Sequence, residues 1–225
     1  MTVEHVAIVG GTGDVGFGLA KRWAKAGFRI TIGSRDPGRA DSAAKRLLEQ
    51  VPGAEASGLE NAEAAASSSV VVVAVPFAGQ AAIYKSIAES VQQDAVVVDC
   101  TVPLAAAVGG RTSRTLGVWE GSAAQQGAGL LPRGRASVCA AFHSLAASAL
   151  DDLDSSIEGD VLVCGSRKEA KLLVKDLVGA IPNLRYVDAG PLENARLVEP
   201  LTSLLIGINR RYRTTAGIRI TNLPE

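Results

Sequence analysis

Residues 6–16 read Val-Ala-Ile-Val-Gly-Gly-Thr-Gly-Asp-Val-Gly, and this stretch decides the fold. An apolar, β-branched run leads into Gly11, Gly13 and Gly16, which satisfy the pattern G-x-G-x-x-G, and a helical pattern follows. In that pattern the first glycine permits a tight turn, the second lets the backbone approach a pyrophosphate, and the third lets helix and strand pack closely. Free N–H groups and the positive dipole end of the helix favour a bound anion. The stretch therefore predicts a dinucleotide site.

The end of the second predicted strand indicates which dinucleotide binds. An Asp or Glu at this position normally hydrogen-bonds the ribose 2′-hydroxyl of NAD. Here residues 30–35 read Ile-Thr-Ile-Gly-Ser-Arg, and Arg39 follows one helical turn on. Ser34 and Arg35 offer a hydroxyl and a guanidinium, which suit a 2′-phosphate by charge and bidentate geometry. Asp36 follows directly and could point inward, but the sequence favours NADP(H) over NAD(H).

Strand-like and helix-like segments alternate along the chain, a pattern typical of a parallel sheet with crossover helices. The predicted strands are 6–9, 29–32, 55–57, 70–75, 95–99, 137–141, 160–164, 185–187 and a short terminal one at 217–220. The predicted helices are 16–26, 38–50, 80–91, 122–130, 168–180 and a long final one at 192–213. We interpret the Gly-, Ser- and Arg-rich segment 105–135 as surface or site-forming.

These elements predict an α/β protein: a Rossmann-type, doubly wound, mainly parallel sheet with a small C-terminal α/β domain. We place the NADP-binding domain at residues 1–145. Residues 146–225 would form the smaller domain, which helps to build the second ligand site. An exposed acidic turn at 151–155 follows this boundary.

Composition narrows the class of protein. Lys and Arg number 23, as do Asp and Glu, so no global field attracts nucleic acid or a membrane surface. The longest apolar run, residues 70–77, is far shorter than the ~20 residues that span a bilayer, and the N-terminus does not resemble a signal peptide. Three widely spaced cysteines form no disulfide or zinc pattern. We expect a soluble cytoplasmic protein that binds no nucleic acid, membrane or metal.

Ligands of open α/β sheets lie beyond the carboxyl ends of the strands, which directs attention to three later strand ends. They are Val75-Pro76, residues 99–103 and residues 141–144, the last containing His143. His143 is either a structural histidine or a residue that faces the cofactor. Cys100 and Cys139 are interpreted as small buried residues, because no base or cation accompanies them in the sequence.

No protein-borne catalytic group stands out. The sequence contains no Ser-His-Asp spacing, metal signature or paired acids. A short-chain dehydrogenase is excluded because none of the three tyrosines is followed by a lysine four residues later. The chemistry should therefore come from the cofactor, with no certain catalytic residue in the protein.

Residues 10–16, 33–35, 75–76, 102–103 and 141–143, taken in order, resemble the NADPH-dependent reductases of coenzyme F420. In the C-terminal half, residues 188–199 read Asp-Ala-Gly-Pro-Leu-Glu-Asn-Ala-Arg-Leu-Val-Glu and strengthen the likeness, as do residues 217–219. The resemblance covers essentially the whole chain. It implies an oxidoreductase that transfers a hydride reversibly between NADP(H) and the deazaflavin coenzyme F420.

The resemblance also implies the ligand-contacting residues. The ADP part of NADP with its 2′-phosphate would lie against Thr12, Gly13, Asp14, Val15, Ser34, Arg35 and Arg39. The rest of NADP would be bordered by Val75, Pro76, Val102 and Ala147. The deazaflavin would lie over the nicotinamide, against His143 as a ring-orienting residue, Thr202, Ala216 and Gly217. The anionic tail of F420 could meet Arg111, Arg114, Arg133 and Arg135, which are otherwise solvated.

Two other functions stay open at this point. One is an NADPH-dependent reductase of an imine, ketone or flavin-like acceptor, and the other is a non-enzymatic NADP sensor that binds partners through the final helix. We expect a homodimer because residues 192–208 are rich in Leu, Val and Ile, although these residues could instead belong to the core.

Overall fold

Eight strands form one sheet within residues 3–223, the part of the chain that the computed structural model describes. They are β1 (His5–Val9), β2 (Arg29–Ser34), β3 (Ala56–Glu60), β4 (Val70–Val73), β5 (Ala95–Asp99), β6 (Ala136–Ala140), β7 (Gly159–Gly165) and β8 (Leu184–Asp188). Their order is β3-β2-β1-β4-β5-β6-β7-β8. Strands β1 to β6 run parallel, β7 is antiparallel to β6, and β8 is parallel to β7. The predicted doubly wound, mainly parallel α/β fold is confirmed.

Helices cover both faces of the sheet because its strands are apolar on both faces. In β1, Val6 and Ile8 belong to one core and Val9 to the other. The first core contains residues of α1 (Asp14–Lys25), α2 (Pro37–Gln50) and α7 (Lys168–Gly179). The second contains residues of α3 (Asn61–Ser67), α4 (Phe77–Ile87), α5 (Ala123–Leu130) and α8 (Ala195–Val198). None of the helices between residues 3 and 223 is long and apolar enough to cross a bilayer.

Two short helices were not predicted from the sequence. Helix α3 follows β3 directly, at a capping box between Glu60 and Glu63, so no turn residue separates strand from helix. Helix α6 (Ala147–Asp151) has only five residues, too few for a helical period to be read from apolar spacing.

The prediction of one long helix over residues 192–213 is wrong. The segment contains a 3-10 turn (Leu192–Asn194), α8, and α9 (Leu201–Tyr212). Pro200 separates the two helices, since it has no N–H to donate to a preceding carbonyl. The predicted strand at residues 217–220 is also absent, although this extended segment is bonded to β7 through the Asp160 N–H and the Ile218 carbonyl, at 2.7 Å.

The residues after position 145 are closely attached to the N-terminal part. Gly18 of α1 lies against Leu150 of α6, and the buried guanidinium of Arg22 donates to the carbonyls of Ala149 (2.7 Å) and Leu150 (3.2 Å). Strands β7 and β8 extend the same sheet beyond β6. No break in the sheet marks the boundary between residues 145 and 146, and the division into two domains stays a prediction.

The contact between α1 and α6 makes a stability prediction. A Cβ at Gly18 would lie 2.6 Å from Leu150 Cβ, so Gly18→Ala should lower the free energy of unfolding by ~1–3 kcal/mol, despite the better helix propensity of alanine. Gly207→Ala is the matched control: this glycine lies within α9 with nothing within 4 Å, and alanine should stabilise by up to ~1 kcal/mol. Chemical denaturation measures both, and equal effects would contradict the close packing.

Candidate active site

The glycine turn joins the carboxyl ends of β1 and β2. The N–H groups of Gly10 and Gly11 both donate to the Gly33 carbonyl, at 3.1 Å. A Cβ on Gly11 would lie 2.9 Å from the Ile8 carbonyl oxygen, and one on Gly16 would lie 2.9 Å from that of Gly10. Both glycines are therefore required for packing of the turn itself.

Gly13 differs from its neighbours in the turn. Its Cβ position meets only the Gly10 carbonyl oxygen, at 3.5 Å, which is ordinary contact. Gly13 is the N-cap of α1, and no side chain caps the helix. The N–H groups of the first turn are thus directed into a cavity lined by Gly13, Asp14 and Val15, as an anion-binding helix end requires.

A second cavity of about 440 Å³ lies beyond the end of β2. It is lined by Thr12, Asp36, Gly38, Arg39, Ser42, Ala43 and Arg46. The Asp36 carboxylate caps α2, its Oδ1 accepting from the N–H groups of Gly38 (2.8 Å) and Arg39 (3.3 Å). The cavity is thus lined by two arginines, Arg39 and Arg46, and one oxygen of the Asp36 carboxylate accepts from backbone amides.

The main cavity, of about 580 Å³, extends from the glycine turn across the sheet edge. Its floor is the carboxyl ends of β4, β5 and β6, represented by Val75, Pro76, Cys100, Val102 and His143. Its far wall is α6 with Ala147, and α9 with Thr202, Leu205, Ile206 and Asn209. One continuous space thus joins the dinucleotide turn to the end of β6.

His143 is the polar feature of the cavity floor. Its side chain is 5% exposed, and neither ring nitrogen has a hydrogen-bond partner among the described residues. Burial lowers the pKa of His143 to about 4, and the Asp99 backbone acts in the opposite direction. The imidazole is therefore neutral near pH 7, and its two buried nitrogens are unpaired among the described residues.

Two contacts hold the backbone at His143 in place: the packing of the preceding side chain and a hydrogen bond to the His143 carbonyl. Phe142, the preceding residue, has a φ of 66°, a conformation that bulky residues rarely adopt, and its ring packs edge-to-face on Trp23 at 5.5 Å. The Thr202 hydroxyl on α9 donates to the His143 carbonyl at 2.8 Å. The position of His143 thus depends on core packing against α1 and on a hydrogen bond from α9.

The end of β5 is fixed by a buried carboxylate. Asp99 accepts hydrogen bonds from Gln80 (2.8 Å), Tyr84 (2.7 Å) and the Thr101 N–H (2.6 Å). The next residue, Cys100, lines the main cavity, where burial and the neighbouring Asp99 raise the pKa of its thiol well above the usual range. Burial raises the pKa of Cys139 to about 12. Both thiols are protonated at neutral pH, which agrees with small buried residues rather than nucleophiles.

The structure brings most of the predicted site residues together. Those lining the main cavity are Gly13, Asp14, Val15, Val75, Pro76, Val102, His143, Ala147 and Thr202. Thr12 and Arg39 line the second cavity, whereas Gly11 and Gly16 are inside the turn. Ser34 is buried at the end of β2, its hydroxyl accepting from the Asp36 N–H, and Arg35 is exposed beside it.

Other predicted residues lie elsewhere. Ala216 and Gly217 border a separate space of about 70 Å³, next to residues 144–146 rather than in the main cavity. Arg135 precedes β6 at the opposite edge of the sheet, where it bonds the carbonyl of Val91 and the Glu89 carboxylate. It cannot reach a ligand at the carboxyl edge, and neither can Arg133, two residues before it. Arg111 and Arg114 follow β5 and are exposed beyond the carboxyl edge.

Sequence reasoning missed residues that reach the cavities from a distance. Arg46 lies within α2, and its guanidinium stacks on the Phe17 ring of α1 at 3.9 Å from the ring centre. Leu205, Ile206 and Asn209 come from α9. The helical spacing of Arg39, Ser42 and Arg46 was the one signal that could have revealed the second cavity, since residues three and four apart share a helix face.

The glycine turn, the cationic second cavity and the continuous main cavity define a Rossmann-type NADP oxidoreductase. The profile of the family described as "NADP oxidoreductase coenzyme F420-dependent" matches residues 5–103. The F420-dependent NADP reductase of Methanothermobacter thermautotrophicus strain Delta H is 43% identical over 99% of this chain and 97% of its own. That of Methanocaldococcus jannaschii is 42% identical over 97% of this chain and 98% of its own. The chain belongs to the family of F420-dependent NADP reductases.

A solved structure agrees with this assignment. A candidate F420-dependent NADP reductase from Arthrobacter sp. FB24 superposes with a TM-score of 0.82 at 25% identity, covering 98% of this chain and 100% of that chain. The likeness extends over α9 and the far wall of the cavity as well as the glycine turn.

The glycine turn gives a direct test. Gly13→Val should fold normally, because its Cβ has room, yet lose NADPH binding, because the branched side chain fills the space where a pyrophosphate approaches the backbone. Gly16→Val should instead lose stability, since its Cβ would lie 2.9 Å from a carbonyl oxygen. Circular dichroism and NADPH titration separate the two, and a folded Gly13→Val protein with normal NADPH affinity would show that the turn is only structural.

Proposed function

We infer that the protein is an F420-dependent NADP reductase, which transfers a hydride reversibly between NADP(H) and coenzyme F420. The observation that carries this conclusion is the near full-length match to F420-dependent NADP reductases at 42–43% identity. The main cavity supports it, because it offers two ring systems a common space and no protein nucleophile with a lowered pKa.

We propose that NADP(H) binds across the glycine turn. Its pyrophosphate would lie on the N–H groups at the start of α1, beside Gly13 and Val15. Its 2′-phosphate would bind at the end of β2 and in the second cavity, where Thr12, Ser34, Arg35 and Arg39 are joined by Arg46. A dianionic phosphate fits a cavity with two guanidinium groups and an engaged carboxylate.

The nicotinamide and the deazaflavin would share the main cavity. Val75, Pro76, Val102 and Ala147 would border the nicotinamide half of NADP, and the deazaflavin would lie towards His143 and Thr202. The unpaired, buried nitrogens of His143 fit a polar group on a ring, because burial without such a partner is costly. When both ligands are bound, the reaction they supply is transfer of a hydride between C4 of the nicotinamide and C5 of the deazaflavin.

The protein contributes position to this reaction. Its apolar walls exclude water, and the donors at the turn and at His143 align the two rings, which is the main requirement of a direct hydride transfer. His143 is unsuited to be an acid at neutral pH, since a pKa of about 4 leaves about one molecule in a thousand protonated at pH 7. A ketone or imine reductase needs such a donor, so the cavity favours a deazaflavin acceptor.

We further propose a homodimer in the cytoplasm. Leu197, Leu204 and Tyr212 are 62%, 59% and 72% exposed, and the last two lie two turns apart on α9. A second copy could cover this apolar surface. Light scattering should give a dimer for the native protein and a monomer for Leu204→Glu.

The cytoplasmic location is supported by the cysteines. Cys100, Cys139 and Cys164 are free, as is usual in a reducing compartment, and cell fractionation tests the location.

Specificity for NADP(H) should depend on Arg35. Arg35→Asp replaces an ion pair to the 2′-phosphate with a like-charge contact and should raise the Kd of NADPH by about tenfold or more, from ~1.5–3 kcal/mol for a charged hydrogen bond, while NADH is little affected. Arg29→Asp, at the opposite end of β2, is the matched control with the same change of charge. If the ratio of the Kd for NADPH to the Kd for NADH is the same in Arg35→Asp as in the native protein, the assignment of Arg35 to the 2′-phosphate is contradicted.

The purified protein should exchange hydride between NADPH and oxidised F420, followed by deazaflavin absorbance. His143→Ala should lose about ten- to a hundredfold in kcat/KM, ~1.4–2.7 kcal/mol, through misplacement of the ring. The shape of its pH profile between pH 5.5 and 8.5 should match that of the native protein, because the His143 pKa lies near 4. His5→Ala, at the opposite edge of the sheet, should be fully active.

Two results would contradict this account. A native protein inert with F420 in both directions would refute the activity and leave an imine, ketone or flavin reductase or an NADP sensor. A native ionisation near neutrality that is lost only in His143→Ala would make His143 a proton donor.

A further inference from the structure

Glu199 is a buried carboxylate that the proposed reaction does not use. It lies between α8 and α9 and is 1% exposed. Its Oε2 accepts from the Ala123 N–H at 2.8 Å, and its Oε1 accepts from the Ala124 N–H at 3.0 Å. These are the first two N–H groups of α5, so both carboxylate oxygens are bound at the positive end of that helix.

This pair of hydrogen bonds fixes the beginning of α9. Pro200 and Leu201 follow Glu199 directly, and Thr202 then donates to the His143 carbonyl. Only Leu205 among the twelve residues of α9 is buried, so apolar packing holds this helix weakly. Polar contacts at its ends must position it: Glu199 and Thr202 at the beginning, and Asn209, which accepts from the Ala216 N–H, towards the end.

Helix α9 also forms part of the far wall of the main cavity. Leu205, Ile206 and Asn209 line that wall together with Thr202. If the beginning of α9 moved, the width of the cavity and the hydrogen bond from Thr202 to the His143 carbonyl would therefore change together. The glycine turn and the second cavity are formed by β1, β2, α1 and α2, and they would be unaffected.

We propose that Glu199 is a positioning residue for the acceptor: by holding both N–H groups of α5, its carboxylate sets the place of α9 and so the affinity of the cavity for the deazaflavin, but not for NADP(H). This proposal rests on the proposed function for the identity of the acceptor. It assigns to Glu199 no contact with either ligand.

The ionisation of Glu199 makes the proposal testable by pH. Burial raises the pKa of Glu199 to about 7, while the N–H groups of Ala123 and Ala124 lower it and Asp99 raises it further. The titratable groups that face Glu199 are Asp99 on β5, Tyr84 on α4 and Cys164 on β7, and α5 carries no charged side chain. Tyr84 and Cys164, whose pKa values are raised, the latter to about 11, stay neutral near pH 7.

The direction of the effect follows from the geometry. Above pH 7 the carboxylate is ionised, and both oxygens accept. Below pH 7 a proton occupies one oxygen, the hydrogen bond from one of the two N–H groups weakens because its acceptor is no longer charged, and the beginning of α9 is held less firmly. The ionised fraction falls about tenfold between pH 8 and pH 6 for a pKa of about 7. The KM of the deazaflavin should therefore rise by up to about tenfold over that range.

The experiment compares native protein with Glu199→Gln, which keeps the shape but cannot ionise. The KM values of F420 and of NADPH are measured from pH 6 to 8.5. In Glu199→Gln the KM of F420 should equal the native low-pH value throughout, and the KM of NADPH should be unchanged. The deazaflavin's own ionisation affects its binding to both proteins equally. The quantity compared is therefore the F420 KM of Glu199→Gln divided by the F420 KM of the native protein at each pH. Glu193→Gln, an exposed carboxylate in the same segment, is the matched control and should behave as native.

The outcomes separate this proposal from the proposed function. A Glu199→Gln protein whose F420 KM follows the native pH dependence, or equals the native value above pH 8, overturns it. Should that variant not fold, Glu199→Asp decides: a raised F420 KM with unchanged NADPH KM supports the proposal, and native values for both overturn it. A native protein inert with F420 at every pH refutes the proposed function instead, and NADPH titration alone would still report its intact dinucleotide site.

Discussion

The close approach of backbone to backbone at the end of β1 is the constraint on which the rest of the structure depends. Two N–H groups converge on the single carbonyl of Gly33, and side chains at Gly11 or Gly16 would collide with carbonyl oxygens. Because the turn is this tight, α1 starts directly above the sheet edge with its N–H groups uncapped. Both cavities begin at this turn, since Gly13 lines the main cavity and Thr12 lines the second one.

Buried polar groups fix several segments of the main cavity. Asp99 has three donors and Glu199 has two, and each fixes a segment of the wall. His143 has none among the described residues. Burial keeps the imidazole neutral, which suits a group that orients a ring rather than one that supplies a proton.

The sequence predicted the part of this arrangement that depends on local chemistry. The valine runs of β4 and β5 and the glycines at 11, 13 and 16 identify their elements without tertiary information. The far wall could not be predicted from the sequence for two reasons. The apolar pattern is continuous across Pro200, so the break between α8 and α9 was missed. In addition, α9 meets the cavity only through long-range packing. Arg46 was missed because its place on α2 matters only once the second cavity exists. The position of Arg135 was misjudged, since residues before a strand lie at the edge away from the site.

Transfer of label from NADPH to F420 tests the central claim most directly, that the two rings meet in one cavity and exchange a hydride without a protein group. NADPH deuterated at C4, on each face in turn, is mixed with oxidised F420 in ordinary water, and the reduced deazaflavin is analysed by mass spectrometry. The account predicts that one face delivers its deuterium intact to C5, with none lost to solvent. Hydrogen from solvent at C5, with deuterium released to water, would mean that a protein group carries the hydrogen between the ligands and would contradict it.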